Sequence, residues 1–254
     1  MASMLMTEPK PCEFCGRTLR PLTAELLGNP VFGGWEQCDC EQSVADRERR
    51  KAEAEEEERR KVQAMRHKRY ESAGIPKLFL QNRQGCEQLY AEVRSKATDI
   101  VSEVKKGRGA YIVGNVGTHK TLVAATAARY AIDEGIPTVF TRAGKVLDAL
   151  QETYGTKRSA TDVLERYTNA KLLVLDDLGK ERPTAWALPK LFDLINERYE
   201  RMAPTIVTTQ YGRADLIRRL ASEGDEETAV AIVSRLAEMC GKLEFTGRDA
   251  RLHG

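Results

Sequence analysis

Two short stretches and a group of cysteines hold the residue types that could do chemistry. The first stretch is GNVGTHKT, comprising Gly114, Asn115, Val116, Gly117, Thr118, His119, Lys120 and Thr121. It follows the outline G-x-x-x-x-G-K-[ST] of a phosphate-binding loop, with His119 standing where the outline has glycine. In such a loop the backbone N–H groups and the N-terminus of the next helix hold the phosphates of a nucleotide such as ATP. The lysine reaches the outer phosphates and the hydroxyl meets Mg2+. The second stretch is KLLVLDDLG, an apolar run that ends in Asp176 and Asp177. A carboxylate that orients Mg2+, followed by one that acts as base for an attacking water, suits phosphoryl transfer. An acidic pair at a strand end can also be a simple cap or turn, but that reading leaves its order after the loop unexplained.

Two further polar residues could serve the same chemistry. Gln210 ends the run TIVTTQ and could orient water or sense the outer phosphate; an ordinary strand-end cap is the alternative. Arg235 lies in AIVSRLAEMC. A guanidinium lent to a neighbouring subunit's nucleotide stabilises charge that develops during phosphoryl transfer, while a surface ion pair is the commoner use of arginine.

Cys12, Cys15, Cys38 and Cys40 form C-x2-C and C-x-C pairs near the N-terminus. Four thiolates can close a tetrahedral Zn2+ shell at ~2.3 Å per bond, and a shell with no open position is structural. An iron–sulfur cluster and unliganded core cysteines, the reading for Cys86 and Cys240, are the alternatives. So short a segment lacks a core of its own, which favours metal as its reason to fold.

The elements that must position these residues can be read from composition. Residues 1–45 are rich in turn formers and read as a zinc-binding module. Residues 46–70 are almost all charged helix formers without Gly or Pro, with opposite charges three and four apart, and predict an exposed helical linker. A solvated spacer and a helix that docks on a partner are both compatible with it. From residue 71 to 254 the pattern alternates. Strand-like runs at 110–113, 138–141, 172–175 and 205–208 are separated by helical patterns at 120–134, 145–154 and 187–201. That alternation predicts an α/β domain with a parallel sheet covered by helices. The loop then follows a strand and opens a helix, as its chemistry requires.

The whole chain sets limits. Forty Lys and Arg against 38 Asp and Glu give a net charge of +2, so nucleic-acid binding would need a local patch. No run approaches the ~18 apolar residues of a membrane span, and no signal peptide opens the chain. The sequence reads as cytoplasmic, where thiols stay reduced.

From about residue 71 onward the chain resembles the DnaC/IstB-type AAA+ ATPases, which include the bacterial and phage replicative helicase loaders. The matching pieces are AGIP, GNVGTHKT, LLVLDDLG, the AW after the acidic pair, NERYERMAPTIVTTQ and IVSRLAE, in that order. The resemblance implies Lys120 and Thr121 as Walker A residues, Asp176 and Asp177 as Walker B, Gln210 as sensor 1 and Arg235 as arginine finger. It implies self-association through the AAA+ domain, and the front region resembles the loaders' N-terminal domains, which contact a hexameric DnaB-type helicase. Gln210 departs from the usual Asn, and His119 departs from glycine and is expected to weaken nucleotide binding. Eight residues follow Thr246, so no separate helical lid is expected, and the nucleotide would be closed in by a neighbouring subunit or poorly closed in.

The resemblance also implies a pore-facing helix that binds single-stranded DNA between the second strand and the acidic pair. There Val146, Leu147, Leu150 and Tyr154 form a helical stripe followed by Lys157 and Arg158. An aromatic with adjacent cations suits base stacking and phosphate contact, and core packing is the alternative. Arg213, Arg218 and Arg219 form a weaker candidate patch. The expected function is an ATP-binding helicase loader acting on single-stranded DNA. A nucleotide-weak adaptor of the same fold and an IstB-type transposition helper are the rival readings.

Overall fold

The computed structural model describes residues 8–26, 29–81, 87–153, 159–180, 183–223 and 225–246. Contacts divide the chain into two units, Met1–Met65 and Arg66–Gly254.

The first unit opens with two small antiparallel ladders. One pairs β1 (Lys10–Pro11) with β2 (Thr18–Leu19), and the other pairs β3 (Pro21–Leu26) with β4 (Asn29–Trp35). Its only buried hydrophobic cluster among the described residues is Cys12, Leu19 and Cys38, with Cys40 against it. Leu22, Leu26, Val31 and Phe32 are exposed, so the described residues of the hairpin enclose no core. The charged stretch is one continuous helix, α1 (Glu41–Ser72). The boundaries read from sequence at 45/46 and 70/71 therefore both fall inside it. Ion pairs such as Arg50–Asp46 (2.7 Å) and Lys61–Glu57 (2.7 Å) run along it at the i,i+4 spacing, each adding a few tenths of a kcal/mol on an exposed face.

The second unit carries α2 (Glu87–Lys105), β5 (Gly109–Gly114), α3 (Lys120–Asp133), β6 (Thr138–Arg142), α4 (Ala143–Gln151), α5 (Ala160–Thr168), β7 (Leu172–Asp176), α6 (Ala187–Glu200), β8 (Thr205–Thr209), α7 (Arg213–Leu220), α8 (Glu226–Met239) and β9 (Cys240–Phe245). The five strands form one parallel sheet in the order β6-β7-β8-β5-β9. Side chains alternate across it, so the central strands of a parallel sheet covered on both faces read as mostly apolar runs. Ala110, Ile112, Leu172, Val174 and Ile206 face α2 and α3. Tyr111, Val113, Leu173, Leu175 and Val207 belong to the other layer, with α4 to α8. Helix α3 buries Ala124, Ala125, Ala127, Ala128 and Ala131, small side chains that let it lie close to α2 and the sheet.

Three features tie the domain together. Tyr70, near the end of α1, is buried and its Oη donates to Asp133 of α3 at 2.7 Å, where Arg66 also pairs. In the AGIP segment Gly74 has φ +90°, and a Cβ there would sit 2.3 Å from the Phe140 carbonyl oxygen, so only glycine fits. Arg198 of α6 is fully buried. It donates to the carbonyls of Tyr167 (2.7 Å), Ala170 (2.9 Å) and Pro204 (2.7 Å) and to Thr205 Oγ1 (2.9 Å). Burial pushes its guanidinium down to about 10.

The expected strands are all present, each one to two residues longer than its apolar run. The helix expected over 145–154 is instead α4, Ala143–Gln151. Its stripe Val146, Leu147 and Leu150 is buried in the core, so these side chains pack inward and offer nothing to DNA. Tyr154, Lys157 and Arg158 lie outside the described residues.

Candidate functional site

The site lies at the C-terminal ends of β5, β7 and β8, the edge where open α/β sheets place ligands. Strand β5 delivers residues 114–119 to the start of α3. Gly117 has φ +76° and His119 has φ +63°, ψ +16°, so both lie in the left-handed region. The loop thus demands at position 119 the conformation that glycine adopts without strain. Val116 is exposed, whereas Thr118 and Lys120 are buried. Thr118 Oγ1 (2.8 Å) and Lys120 Nζ (2.6 Å) both donate to the Asn115 carbonyl, which closes the loop on itself.

The acidic pair sits across β8 from the loop. Thr121 Oγ1 donates to Asp176 Oδ1 at 2.9 Å, so the α3 hydroxyl and the β7 carboxylate meet. Thr208 Oγ1 of β8 donates to the same oxygen at 2.7 Å and accepts the Asp177 N–H at 2.9 Å. Burial raises the Asp176 carboxyl above its ordinary value, and the nearby Asp177 charge adds to this. Hydrogen bonds from Thr208 and Thr121 oppose it. Asp177 has φ +59°, and its half-exposed side chain lies 4.0 Å from Lys180 Nζ. Two hard oxygen donors beside a loop of backbone N–H groups fit Mg2+ with a phosphorylated ligand. Thr121 and Asp176 are the residues that would hold the metal.

Gln210 follows β8 and is exposed, with its Nε2 donating to Tyr211 Oη at 2.6 Å. Arg235 stands on α8 and is half-buried. Its Nε donates to Asn196 Oδ1 of α6 at 2.7 Å, and its guanidinium lies 4.6 Å from the Phe192 ring and 5.8 Å from that of Tyr199. These contacts fix where the guanidinium is carried. Arg219 is taken up by the fold: it donates to the Gly179 carbonyl and stacks 4.5 Å over Tyr211. Arg218 pairs with Asp215.

Beside the loop is a cavity of about 150 Å3 lined by His119, Thr118, Glu92, Lys96, Val93 and Phe245, among others. Lys96 Nζ pairs with Glu92 at 2.5 Å and lies 4.2 Å from the Phe245 ring. Lys96 holds the Glu92 carboxyl below its ordinary value, and His119 adds a smaller pull in the same direction.

The four N-terminal cysteines converge. Their sulfurs all lie within 4.8 Å of one another, with Cys12–Cys40 at 3.9 Å and Cys15–Cys38 at 3.4 Å. A tetrahedron with ~2.3 Å metal–sulfur bonds has edges of about 3.8 Å, so the cluster has the dimensions of a closed shell. The backbone N–H groups of Cys15 and Phe14 favour the Cys12 thiolate and bring that thiol down to about 6. The Cys40 N–H acts likewise on Cys38, yet Cys15, desolvation and Cys12 together drive Cys38 up to about 12. Sulfurs crowded this way cannot all carry charge unless a cation sits among them. The cysteines are unbridged thiols.

Sequence reasoning missed Thr208, Arg198 and the Glu92–Lys96–Phe245 group. The threonines of TIVTT, unusual in a fully buried strand beside an acidic pair, are the one signal that could have exposed the first. No helix among the described residues is long and apolar enough to cross a membrane.

Comparisons with known proteins bear on the family and the fold. The chain is 28% identical over 149 residues to the protein named "Insertion sequence IS21 putative ATP-binding protein" from Pseudomonas aeruginosa, covering 59% of this chain and 54% of that protein. It is 20% identical over 155 residues to the replicative helicase loader DnaI of Bacillus subtilis (strain 168), covering 59% and 50%. The chain therefore spans about half the length of the curated relatives it matches. A crystal structure of DnaI superposes with a TM-score of 0.56 at 21% identity over 68% of this chain and 95% of that one, a likeness of fold alone. A crystal structure of the DnaC helicase loader superposes at 0.50 with 26% identity over 65% and 92%. The profile of the IstB-like ATP binding protein family matches residues 83–254, more than half of the chain and all of the loop, acidic pair and Arg235. The fold is of the AAA+ type, and the chain belongs to the IstB-like ATP-binding protein family.

Proposed function

We propose that this protein is an ATP-hydrolysing AAA+ helicase loader that delivers a DnaB-type replicative helicase to single-stranded DNA. The observation that carries the nucleotide chemistry is the Thr121–Asp176 contact at the head of a phosphate loop. Bound Mg2+ would supply charge neutralisation at the outer phosphates. Lys120, at the start of α3, reaches the same phosphates once its bond to the Asn115 carbonyl is exchanged. Asp177, half-exposed beside the metal ligand, takes the proton of the attacking water. Gln210 helps to place that water, and Arg235 completes the site of a neighbouring subunit, so activity depends on self-association.

The loader reading draws support from the front of the chain. A cysteine cluster of zinc-shell dimensions, followed by a 32-residue charged helix, offers a docking module. Zn2+ in that module is structural. A second reading, a transposition helper, is favoured by the 28% identity to the IS21 protein. Steady-state hydrolysis with and without single-stranded DNA separates an ATPase from a nucleotide-weak adaptor. Co-purification with a DnaB-type helicase or with a transposase separates the two ATPase readings; capture of a transposase alone would reject the loader.

A further inference from the structure

The threonines of β8 use their hydroxyls differently. Thr205 Oγ1 donates to the Ala203 carbonyl and Thr209 Oγ1 donates to the Leu178 carbonyl. The Thr208 hydroxyl donates instead to a carboxylate, Asp176 Oδ1 (2.7 Å), and accepts the Asp177 N–H (2.9 Å). Its own carbonyl accepts the Leu178 N–H at 2.8 Å. Residues 176–178 are therefore clamped to β8 chiefly through one residue, which is fully buried.

The clamp has two consequences. Asp177 sits at φ +59°, a conformation that persists in a non-glycine residue when its surroundings over-determine it. Thr208 and Thr209 supply that determination from both sides of the turn. Asp176 Oδ1 accepts from Thr121 as well, but Thr121 is also the hydroxyl that would meet the metal. Thr208 faces no metal and donates its one proton to Asp176, so it can hold the carboxylate while Thr121 turns to the cation.

We infer that Thr208 is a positioning residue that sets both carboxylates of the acidic pair, Asp176 for Mg2+ and Asp177 for the attacking water. This rests on the ATP-hydrolysing reading above. Thr208→Val keeps the shape and removes the hydroxyl, Thr208→Ser keeps the hydroxyl, and Thr208→Ala offers a second variant without a donor should Val weaken the strand. Melting by circular dichroism reports the fold of each. A fluorescent ATP analogue is titrated in EDTA and then with Mg2+, and kcat and KM for ATP are measured in parallel.

The expected result is that Val and Ala bind the analogue normally in EDTA, need more Mg2+ for half-saturation and lose ~10–100-fold in kcat, as outer-shell changes typically do. Ser matches the wild type. A folded Val or Ala variant with unchanged Mg2+ half-saturation and kcat overturns the inference. So does a Ser variant that falls as far as Val, because the methyl group would then matter and not the hydroxyl. A wild-type chain that binds no analogue with or without Mg2+ overturns the underlying ATP reading, and the wild-type titration alone reveals it.

Discussion

His119→Gly is the substitution whose effect follows most directly from the loop. His119 holds φ +63°, ψ +16° at the start of α3, and an L-residue there carries ~1–2 kcal/mol of strain that glycine lacks. Glycine gives back ~0.5–1 kcal/mol through its more disordered unfolded state. The net gain is about 0–1.5 kcal/mol, divided between stability and binding. Where the loop is left-handed throughout, the gain appears in Tm, at ~2–4 °C per kcal/mol for a chain of this size. Where the loop takes that shape only around phosphates, it appears as affinity, at tenfold per ~1.4 kcal/mol. Thermal melting and titration of a fluorescent ATP analogue, with both proteins side by side, measure the two shares. The expected result is a higher Tm, tighter binding or both. Weaker binding by the glycine variant with an unchanged Tm would refute the reasoning. The imidazole beside Glu92 would then belong to the site as a contributor and not as a fault.

Three other outcomes are open to simple tests. Purified protein should hold one Zn2+ per chain by metal analysis, and Cys12→Ser should lower that content; unchanged metal in the mutant would remove the cluster from consideration. Arg235→Ala and Lys120→Ala subunits, each inactive alone, should recover part of the ATPase activity when mixed, because each completes a site the other lacks. A fully active Arg235→Ala protein would sink the role in trans and leave Arg235 as a packing residue against Asn196 and Phe192. Arg198→Met should cost about 3–5 kcal/mol, because several buried carbonyls lose their donor at ~1–3 kcal/mol each with partial relaxation. That is a Tm lower by roughly 6–20 °C, and a Tm close to wild type would show that the carbonyls find other partners.

The nucleotide half of the protein was legible because its chemistry is local. A loop, a lysine, a hydroxyl and an acidic pair each occupy a few consecutive residues, and the strands before them are continuous apolar runs. Strand β9 was not legible: in CGKLEF the charged Lys242 and Glu244 interrupt the apolar residues on a half-exposed edge, so no continuous apolar run marks it. Helical periodicity showed that Val146, Leu147 and Leu150 share a face but not what covers it, and the core covers it. Arg198 reads in NERYER as one more surface cation, and only the tertiary fold brings four backbone carbonyls to it. Thr208 was hidden for the same reason, since its partners lie on the neighbouring strand, 32 residues away at Asp176.

The most direct test of the central claim is retention of a DnaB-type helicase on circular single-stranded DNA in the presence of ATP and Mg2+. The expected result is that wild-type protein raises the amount of helicase retained, while Lys120→Ala, which lacks the phosphate-binding lysine, does not. Equal retention with both proteins, or none with the wild type, would contradict an ATP-dependent loader.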